Sequence, residues 1–142
     1  MIEKGLMIVG KKGSGKTVFC NELKNYMPTY EMGEIVKEIM RKRKIEINNE
    51  NIRTFMVEER KKYGFDVFAK YLIKKIEEKE KNRKNMIAIC GLRSVEELKY
   101  FEKKIKNMLI IRIEANDEKR FERIMKRKKE GEPKTYEEFL KQ

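Results

Sequence analysis

The stretch LMIVGKKGSGKT, residues 6–17, decides the fold of this chain. A short apolar run leads into a glycine-rich turn that matches the pattern G-x-x-x-x-G-K-[ST] in full, and a helical periodicity follows from residue 17. Four residue types at this fixed spacing arise by chance in about one chain of this length in a few hundred. A strand, a glycine-rich turn and a helix in this order bind phosphate in many proteins. We therefore predict a nucleotide-binding loop at residues 10–17.

Each residue type in this loop has a physical task. Glycines at positions 10, 13 and 15 permit positive φ angles and a close approach of the backbone to an anion. Successive backbone N–H groups and the N-terminal dipole of the following helix then surround phosphate oxygens. The lysine reaches the β- and γ-phosphates, and the hydroxyl of Thr17 is a ligand for Mg²⁺. The predicted nucleotide-binding residues are Gly10, Lys11, Lys12, Gly13, Ser14, Gly15, Lys16 and Thr17.

Length and charge narrow the class of protein. The 142 residues, 39% of them hydrophobic, suit a single domain spanning residues 1–142. Lys and Arg number 36 against 24 Asp and Glu, so the net charge is +12. This excess favours polyanionic partners such as nucleotides, phosphorylated metabolites or nucleic acid. Mixed Glu and Lys on solvated helix faces explain much of the same charge.

The absence of histidine and the small number of cysteines exclude several kinds of catalytic and metal site. There is no histidine, so Ser-His and Cys-His dyads and imidazole zinc sites are excluded. The two cysteines, Cys20 and Cys90, lie in different predicted elements and form no Cys-x-x-Cys pair. We therefore expect reduced thiols in a cytoplasmic protein rather than a disulfide scaffold. No apolar run approaches the roughly 20 residues that span a bilayer, so we expect no membrane association.

Strand and helix patterns alternate along the chain. Nearly all-apolar strands separated by helices predict a parallel sheet with both faces covered. Helix starts are predicted at Asn48 or Asn49, at Asp66, and at a capping box of Ser94 with Glu97. A further capping box near the C-terminus starts only a short helix, so we expect a stub or a missing final segment. The strand candidates are residues 6–9, 29–32, 86–90 and 108–113.

Most of the candidate catalytic side chains are cationic, and few are acidic. Arg93 follows the third strand candidate, at the sheet edge where open α/β folds bind ligands. Both aspartates of the chain stand at helix starts, which leaves Glu34 as the best-placed carboxylate for a metal or an acceptor hydroxyl. Cys90 stands at the strand end where an aspartate often holds a metal. Three more arginines, on the helix after the fourth strand, are Arg120, Arg123 and Arg127.

The segments VGKKGSGKT, MGEIVKEI, ICGLRSVEELKYF and RFERIMKR, in this order, resemble archaeal dephospho-CoA-kinase-like or adenylate-kinase-like P-loop proteins. The resemblance implies the three-layer αβα nucleoside-monophosphate-kinase fold, with strand order 2-3-1-4 and a fifth strand missing here. It implies a helical acceptor-binding region at about residues 33–83 and the start of a truncated lid at about 127–142. By the same resemblance Arg123 lies near the adenine, Arg127 near the phosphates, and Arg93 meets the acceptor's phosphate.

The chain departs from the family pattern at two motifs. Asp-Gly-x-Arg becomes Cys90-Gly91-Leu92-Arg93, so a carboxylate is lost. Gly-Asp-x-x-Arg becomes Gly33-Glu34 followed by a lysine at position 37, so one acid is longer and one arginine is replaced. Because of these departures, the sequence supports nucleotide binding strongly and catalytic turnover only weakly.

Three hypotheses follow. The first is a kinase that transfers the γ-phosphoryl of ATP, or of GTP, with Mg²⁺ to a nucleotide-like or CoA-precursor acceptor; its catalytic residues are Lys16, Arg93, Arg127 and Glu34. The second is a nucleotide-binding switch or docking module with little catalysis, because of Cys90. The third is nucleic-acid binding through basic residues 41–44 and 126–129, although few aromatic side chains interleave them. The acceptor, the base of the nucleotide and the oligomeric state stay open.

Overall fold

A computed structural model describes residues 1–11, 13–81, 85–115, 118–119 and 122. Strands and helices alternate within these residues as the sequence predicts. The strands are β1 (Ile2–Val9), β2 (Thr29–Glu31), β3 (Met86–Cys90) and β4 (Ile105–Arg112). The helices are α1 (Lys16–Leu23), α2 (Met32–Lys42), α3 (Asn49–Tyr63), α4 (Val67–Lys79) and α5 (Val95–Lys104).

The four strands form one parallel sheet of order β2-β3-β1-β4. This confirms the predicted α/β class and the order 2-3-1-4. Ile8 of β1 stands opposite Cys90 of β3, and Glu31 of β2 stands opposite Cys90 from the other side. The carboxyl ends of β1, β2 and β3 therefore meet at one edge of the sheet.

Helices cover both faces of the sheet, as a three-layer αβα fold requires. One face carries Ile8 and Cys90, and α1 covers it with Cys20 and Leu23. The other face is covered by the helices from α2 to α5, whose buried side chains include Phe68 and Phe101. Both of those rings are 0% exposed. Alternate residues of the strands thus enter two separate cores.

Two helix starts confirm the predicted capping chemistry, and one differs. The side chain of Asn48 accepts a hydrogen bond from the backbone N–H of Asn51 at 2.8 Å. Ser94 and Glu97 form a complete capping box at the start of α5. Asp66 takes the N-cap position of α4 without a capping bond; its carboxylate lies 3.3 Å from the ammonium of Lys70. An ion pair one turn along the helix replaces the cap.

The helical periodicity from residue 17 predicts that Val18 or Phe19 is buried, and this assignment is wrong. In α1 the fully buried residue is Cys20, whereas Val18 is 75% exposed. Strand β4 is the last strand of the described sheet, and its Leu109 and Ile110 are exposed, so it is not the buried strand that its composition predicts. Composition reports how apolar a strand is, but not whether a neighbour covers it.

The expectation of two separate thiols is wrong. Cys20 of α1 and Cys90 of β3 form a disulfide, with their Cα atoms 6.7 Å apart and 70 residues between them in sequence. Both residues are buried, at 0% and 3% exposure. The pair forms because α1 packs across β3, which is a long-range contact that cysteine spacing does not report. The disulfide ties the helix behind the glycine-rich loop to the end of β3.

In the described ranges, no helix combines the length and the hydropathy that crossing a membrane needs.

A buried carboxylate joins α2, α3 and α4. Glu59 of α3 is 5% exposed and accepts hydrogen bonds from Arg43 at 2.6 Å and from the hydroxyl of Tyr71 at 2.8 Å. Burial alone would raise the pKa of Glu59, but these bonds and the charges of Arg43 and Lys62 outweigh it, so the pKa lies below its usual value. The group fixes the relative placement of three helices.

The disulfide should stabilise the fold. Closing a loop of this length contributes about 4 kcal/mol through the entropy of the unfolded chain. We expect a dithiol reductant to lower the free energy of unfolding by up to that amount, measured by urea denaturation. A Cys20→Ala/Cys90→Ala variant should have the lower stability already and should not respond to the reductant. Two alkylatable thiols in the denatured, unreduced protein would contradict the disulfide.

The Glu59 cluster should make stability depend on pH. We expect Glu59→Gln to lower the free energy of unfolding by about 1–3 kcal/mol near neutral pH, because Arg43 and Tyr71 lose a charged acceptor at a buried position. Since the pKa of Glu59 is lowered in the folded state, its contribution is present above the usual carboxyl pKa and is lost as the pH falls through the folded pKa. Urea unfolding across this range should show the two proteins converging in acid. The control is Glu58→Gln, which makes the same change at the exposed preceding residue. If Glu58→Gln and Glu59→Gln lowered the free energy of unfolding equally, the prediction would be refuted.

Candidate functional site

The glycine-rich loop lies between the end of β1 and the start of α1. Gly13 has φ 79° and Gly15 has φ 102°, both in the left-handed region that other residues rarely adopt. The backbone N–H of Ser14 donates to the carbonyl of Lys11 at 3.1 Å, and Gly15 is the N-cap of α1. The predicted reason for glycine is therefore confirmed at positions 13 and 15.

Gly10 is required for a different reason. It does not share the positive φ of Gly13 and Gly15, so the predicted backbone angle is wrong there. A Cβ atom at this position would lie 2.7 Å from both the carbonyl oxygen of Ile113 and the Oγ of Ser14. Close packing between the loop and the segment after β4 leaves no room for a side chain.

The loop holds a lysine that bonds to the loop's own backbone and a buried hydroxyl without a partner among the described residues. Lys16 reaches back over the loop, and its Nζ donates to the carbonyl of Gly10 at 3.0 Å. The Oγ of Ser14 is buried and has no hydrogen-bond partner within the described residues. Thr17 follows in the first turn of α1. Lys12 lies outside the described residues. A buried hydroxyl without a partner beside a lysine suits a site that receives oxygen atoms from a ligand.

A cavity of about 320 Å³ adjoins the loop. Its walls combine apolar surface with the cations of Lys11 and Arg112 and the carboxylate of Glu114. The volume lies in the range of small-molecule pockets, which begins at about 300 Å³. The lining residues are Val9, Gly10, Lys11, Ser14, Arg112, Ile113, Glu114 and Ala115.

Arg93 lies at the same edge of the sheet. The turn after β3 runs through Gly91, whose φ is 85° and whose N–H donates to the carbonyl of Ile8 at 3.3 Å. The Nη2 atom of Arg93 lies 3.2 Å from the Cβ position that Gly33 leaves empty at the start of α2. Arg93, predicted to meet the acceptor's phosphate, is therefore a neighbour of Gly33, where the predicted acceptor-binding region begins.

Glu97 holds the backbone of this turn. Its Oε1 accepts hydrogen bonds from the N–H of Arg93 at 2.7 Å and of Ser94 at 3.1 Å. Burial raises the pKa of Glu97, against the opposing effect of these bonds and of the charges of Arg60 and Arg93. Although Arg93 as a residue is exposed, protein atoms crowd its guanidinium; this desolvation lowers its pKa, the charge of Glu97 opposes it and the charge of Arg60 adds to it.

The predicted carboxylate, Glu34, is exposed in the first turn of α2, with its Oε1 4.0 Å from the Nζ of Lys37. Sequence reasoning missed another acid, Glu31. Tyr30 enters the core on the face of α2 to α5, so the next residue along the strand points to the face of α1. Glu31 is there the cross-strand neighbour of Cys90, and its Oε1 lies 3.9 Å from the Nζ of Lys24. Strand alternation counted from Tyr30 would have identified it.

Metal ligands are sparse. Within the described residues, no group of three or more Cys, Asp or Glu side chains is placed to hold a metal ion. Cys90 carries no ionisable thiol while it is bonded to Cys20, so in this state it replaces neither the metal ligand nor the base. The predicted residues Arg123 and Arg127, with the segment 127–142, lie outside the described part of the chain.

Comparison with known proteins agrees with this geometry. A family model described as "AAA domain" matches residues 6–141. A UPF0200 protein of Hyperthermus butylicus is 35% identical over 94% of this chain and 70% of its own length. One from Methanocaldococcus jannaschii is 33% identical over 94% of this chain and 67% of its own.

Solved structures support the fold. Shikimate kinase from Acinetobacter baumannii, in complex with shikimate, superposes with a TM-score of 0.58 at 15% identity, covering 98% of this chain and 72% of its own. A gluconokinase from Sinorhizobium meliloti gives 0.52 at 12% identity, covering 99% and 73%. At these identities the likeness concerns the fold alone. The family match and the curated relatives together show that this chain belongs to the AAA-domain family and to the UPF0200 proteins.

Proposed function

We propose that the chain binds ATP or GTP with Mg²⁺ at its glycine-rich loop and transfers the γ-phosphoryl group to a small anionic acceptor. The observation that carries the proposal is the juxtaposition of two sites at one sheet edge. The loop follows β1, Arg93 follows β3, and the N–H of Gly91 bonds directly to Ile8 of β1. Donor and acceptor would thus meet where two neighbouring parallel strands end.

The nucleotide would occupy the loop and the adjoining cavity. Residues 10–17 would surround the phosphates, with Lys16 exchanging its bond to the carbonyl of Gly10 for phosphate oxygens. The cavity between the loop and residues 112–115 has the size and the mixed lining that a nucleoside needs. By the family resemblance, Arg123 would contact the base and Arg127 the transferring group.

The hydroxyl of Thr17, in the first turn of α1, would hold Mg²⁺, which would offset the negative charge of the phosphates. Mg²⁺ is bound through one or two carboxylates as well as phosphates in such sites. With Cys90 in a disulfide, we assign this role to Glu31, its cross-strand neighbour on the face that α1 covers. Glu34, at the start of α2, would orient the acceptor hydroxyl.

The acceptor would lie between the turn after β3 and the start of α2. Arg93 against Gly33 supplies a cation there, which suits a phosphorylated acceptor such as a nucleotide or a CoA precursor. The kinases with similar folds are named for shikimate and gluconate, which supports a small-molecule acceptor here.

A second candidate function is a nucleotide-dependent switch with little turnover. The disulfide between Cys20 and Cys90 favours it, because a covalent bond replaces a carboxylate at the end of β3. The two candidates differ in whether bound nucleotide is consumed.

Lys16 tests nucleotide use. We expect Lys16→Ala to reduce phosphoryl transfer by at least about 100-fold, because a cation on the transferring group is lost. Transfer is measured from γ-labelled ATP or GTP to nucleoside monophosphates and dephospho-CoA. The control is Lys4→Ala, an exposed lysine at the opposite end of β1. Nucleotide binding without transfer to any acceptor would refute the kinase and leave the switch.

Substitution of Glu31 tests whether its carboxylate holds Mg²⁺. We expect Glu31→Gln to lower transfer at least about tenfold and to weaken Mg²⁺ binding to the nucleotide complex, measured by calorimetry. In a Cys20→Ala background, Cys90→Asp should restore both, because it returns an acid to the neighbouring strand. Glu22→Gln, an exposed change of the same charge on α1, is the control. If Cys90→Asp raises transfer while Glu31→Gln has no effect, Glu31 does not hold the metal.

A further inference from the structure

Within the described residues, no strand pairs with the outer edge of β4. This strand is the last in the order β2-β3-β1-β4, and its other edge pairs with β1. Between Lys106 and Arg112 its sequence is NMLII, which holds neither a charge nor a proline. Exposed edge strands usually carry such residues, because their unpaired N–H and C=O groups otherwise pair with another chain. The composition of β4 therefore favours a further strand at this edge.

The ladder with β1 fixes which backbone groups of β4 point outward. The N–H of Ile113 donates to the carbonyl of Val9 at 2.9 Å, so Ile113 directs its backbone groups toward β1. Because the direction alternates along a strand, the other odd-numbered residues of β4 also face β1. The residues that direct their N–H and C=O groups outward are the even-numbered Lys106, Met108, Ile110 and Arg112. A further strand would bond to these groups.

Apolar side chains reach this edge on both faces of the sheet. Leu109 stands opposite Leu6, which packs against the core that α1 covers. Ile110 stands opposite Met7, which belongs to the core on the other face. Leu109 is 60% exposed and Ile110 is 47% exposed. A strand that continues the sheet would cover both side chains at once.

Charges flank the apolar stretch in a pattern that suits a second copy of the same strand. Lys106 lies four residues before Ile110, and Glu114 lies four residues after it. In an antiparallel pair centred on Ile110, the outward backbone groups match, and each Lys106 faces Glu114 of the other copy. A pair centred on Leu109 would instead place Lys106 opposite Arg112, where like charges repel. The pattern therefore favours one partner and one register.

Both charges are available for this pairing. The side chain of Lys106 is 63% exposed, and its Nζ lies 3.8 Å from the Oε1 of Glu3. The side chain of Glu114 is 76% exposed, and its Oε1 lies 3.6 Å from the Nη1 of Arg112. Exposed ion pairs of this kind contribute little to stability, so exchanging them for pairs between two copies costs little.

We propose that the chain forms a homodimer in which the two β4 strands pair antiparallel about a two-fold axis at Ile110. The two sheets then become one continuous sheet, and both exposed apolar side chains are covered by their counterparts. Dimers with a two-fold axis are the commonest assemblies of soluble chains. This interface does not depend on the proposed kinase function.

Sedimentation equilibrium from micromolar concentrations to about 1 mM tests the dimer. We expect the average mass to rise with concentration toward twice that of one chain. Ile110→Asp should weaken association at least about tenfold, because two carboxylates would stand opposite each other at the axis. Val57→Asp, which adds the same charge at an exposed apolar residue of α3, is the control. A chain that stays monomeric throughout would overturn the proposal, as would equal weakening by both changes.

Cysteine substitutions test the register. Residues that exchange both hydrogen bonds in an antiparallel pair have Cα atoms about 5.5 Å apart, which a disulfide can span. We therefore expect Ile110→Cys to link two chains under mild oxidation. Leu109→Cys should not, because its counterpart lies diagonally across the pair at about 7–8 Å. Faster linking through Leu109→Cys would overturn the proposed register.

A charge exchange tests the pairing at exposed positions, where a substitution leaves the core of one chain unchanged. Lys106→Glu should weaken association about tenfold, because two attractive pairs become repulsive. Adding Glu114→Lys should restore association to within a few-fold of the wild type. The control is Lys103→Glu, at an exposed lysine of α5. Equal weakening by Lys103→Glu, or a failure of Glu114→Lys to restore association, would overturn the proposal.

Discussion

The parallel pairing of β1 with β3 is the constraint on which the rest of the structure depends. Ile8 stands opposite Cys90, and the N–H of Gly91 continues the ladder to the carbonyl of Ile8. Because parallel strands end at the same edge, this register places the glycine-rich loop next to the turn that carries Arg93. A register shifted by one residue would also move Cys90 away from the face that α1 covers.

The parts of this arrangement that are local could be predicted from the sequence. The loop at residues 10–17 is specified by its own glycines, and the capping box at Ser94 and Glu97 needs only a spacing of three residues. Strand order followed from the family resemblance. At Gly10 the sequence identified the right residue for the wrong reason, since its neighbours Ile113 and Ser14 come together only in the fold.

The parts that depend on contacts between distant segments were missed. Cys20 and Cys90 are separated by 70 residues, and their bond follows from the packing of α1 on β3. Glu31 became a candidate only when the register placed it beside Cys90. Helical periodicity assigned Val18 or Phe19 to the core, and this was wrong because a short helix on a sheet buries only a narrow stripe, here centred on Cys20.

Glu97 shows how stability and site chemistry share one side chain. A capping carboxylate is ordinarily exposed and interacts with the helix dipole, yet this one is 0% exposed. Its burial is tolerable because two backbone N–H groups donate to it and the positive charges of Arg60 and Arg93 favour its ionised form. The same bonds fix the backbone of Arg93, so Glu97 in the first turn of α5 also sets the position of the cation beside Gly33. The need to cap a helix thus determines where the turn after β3 presents its charge.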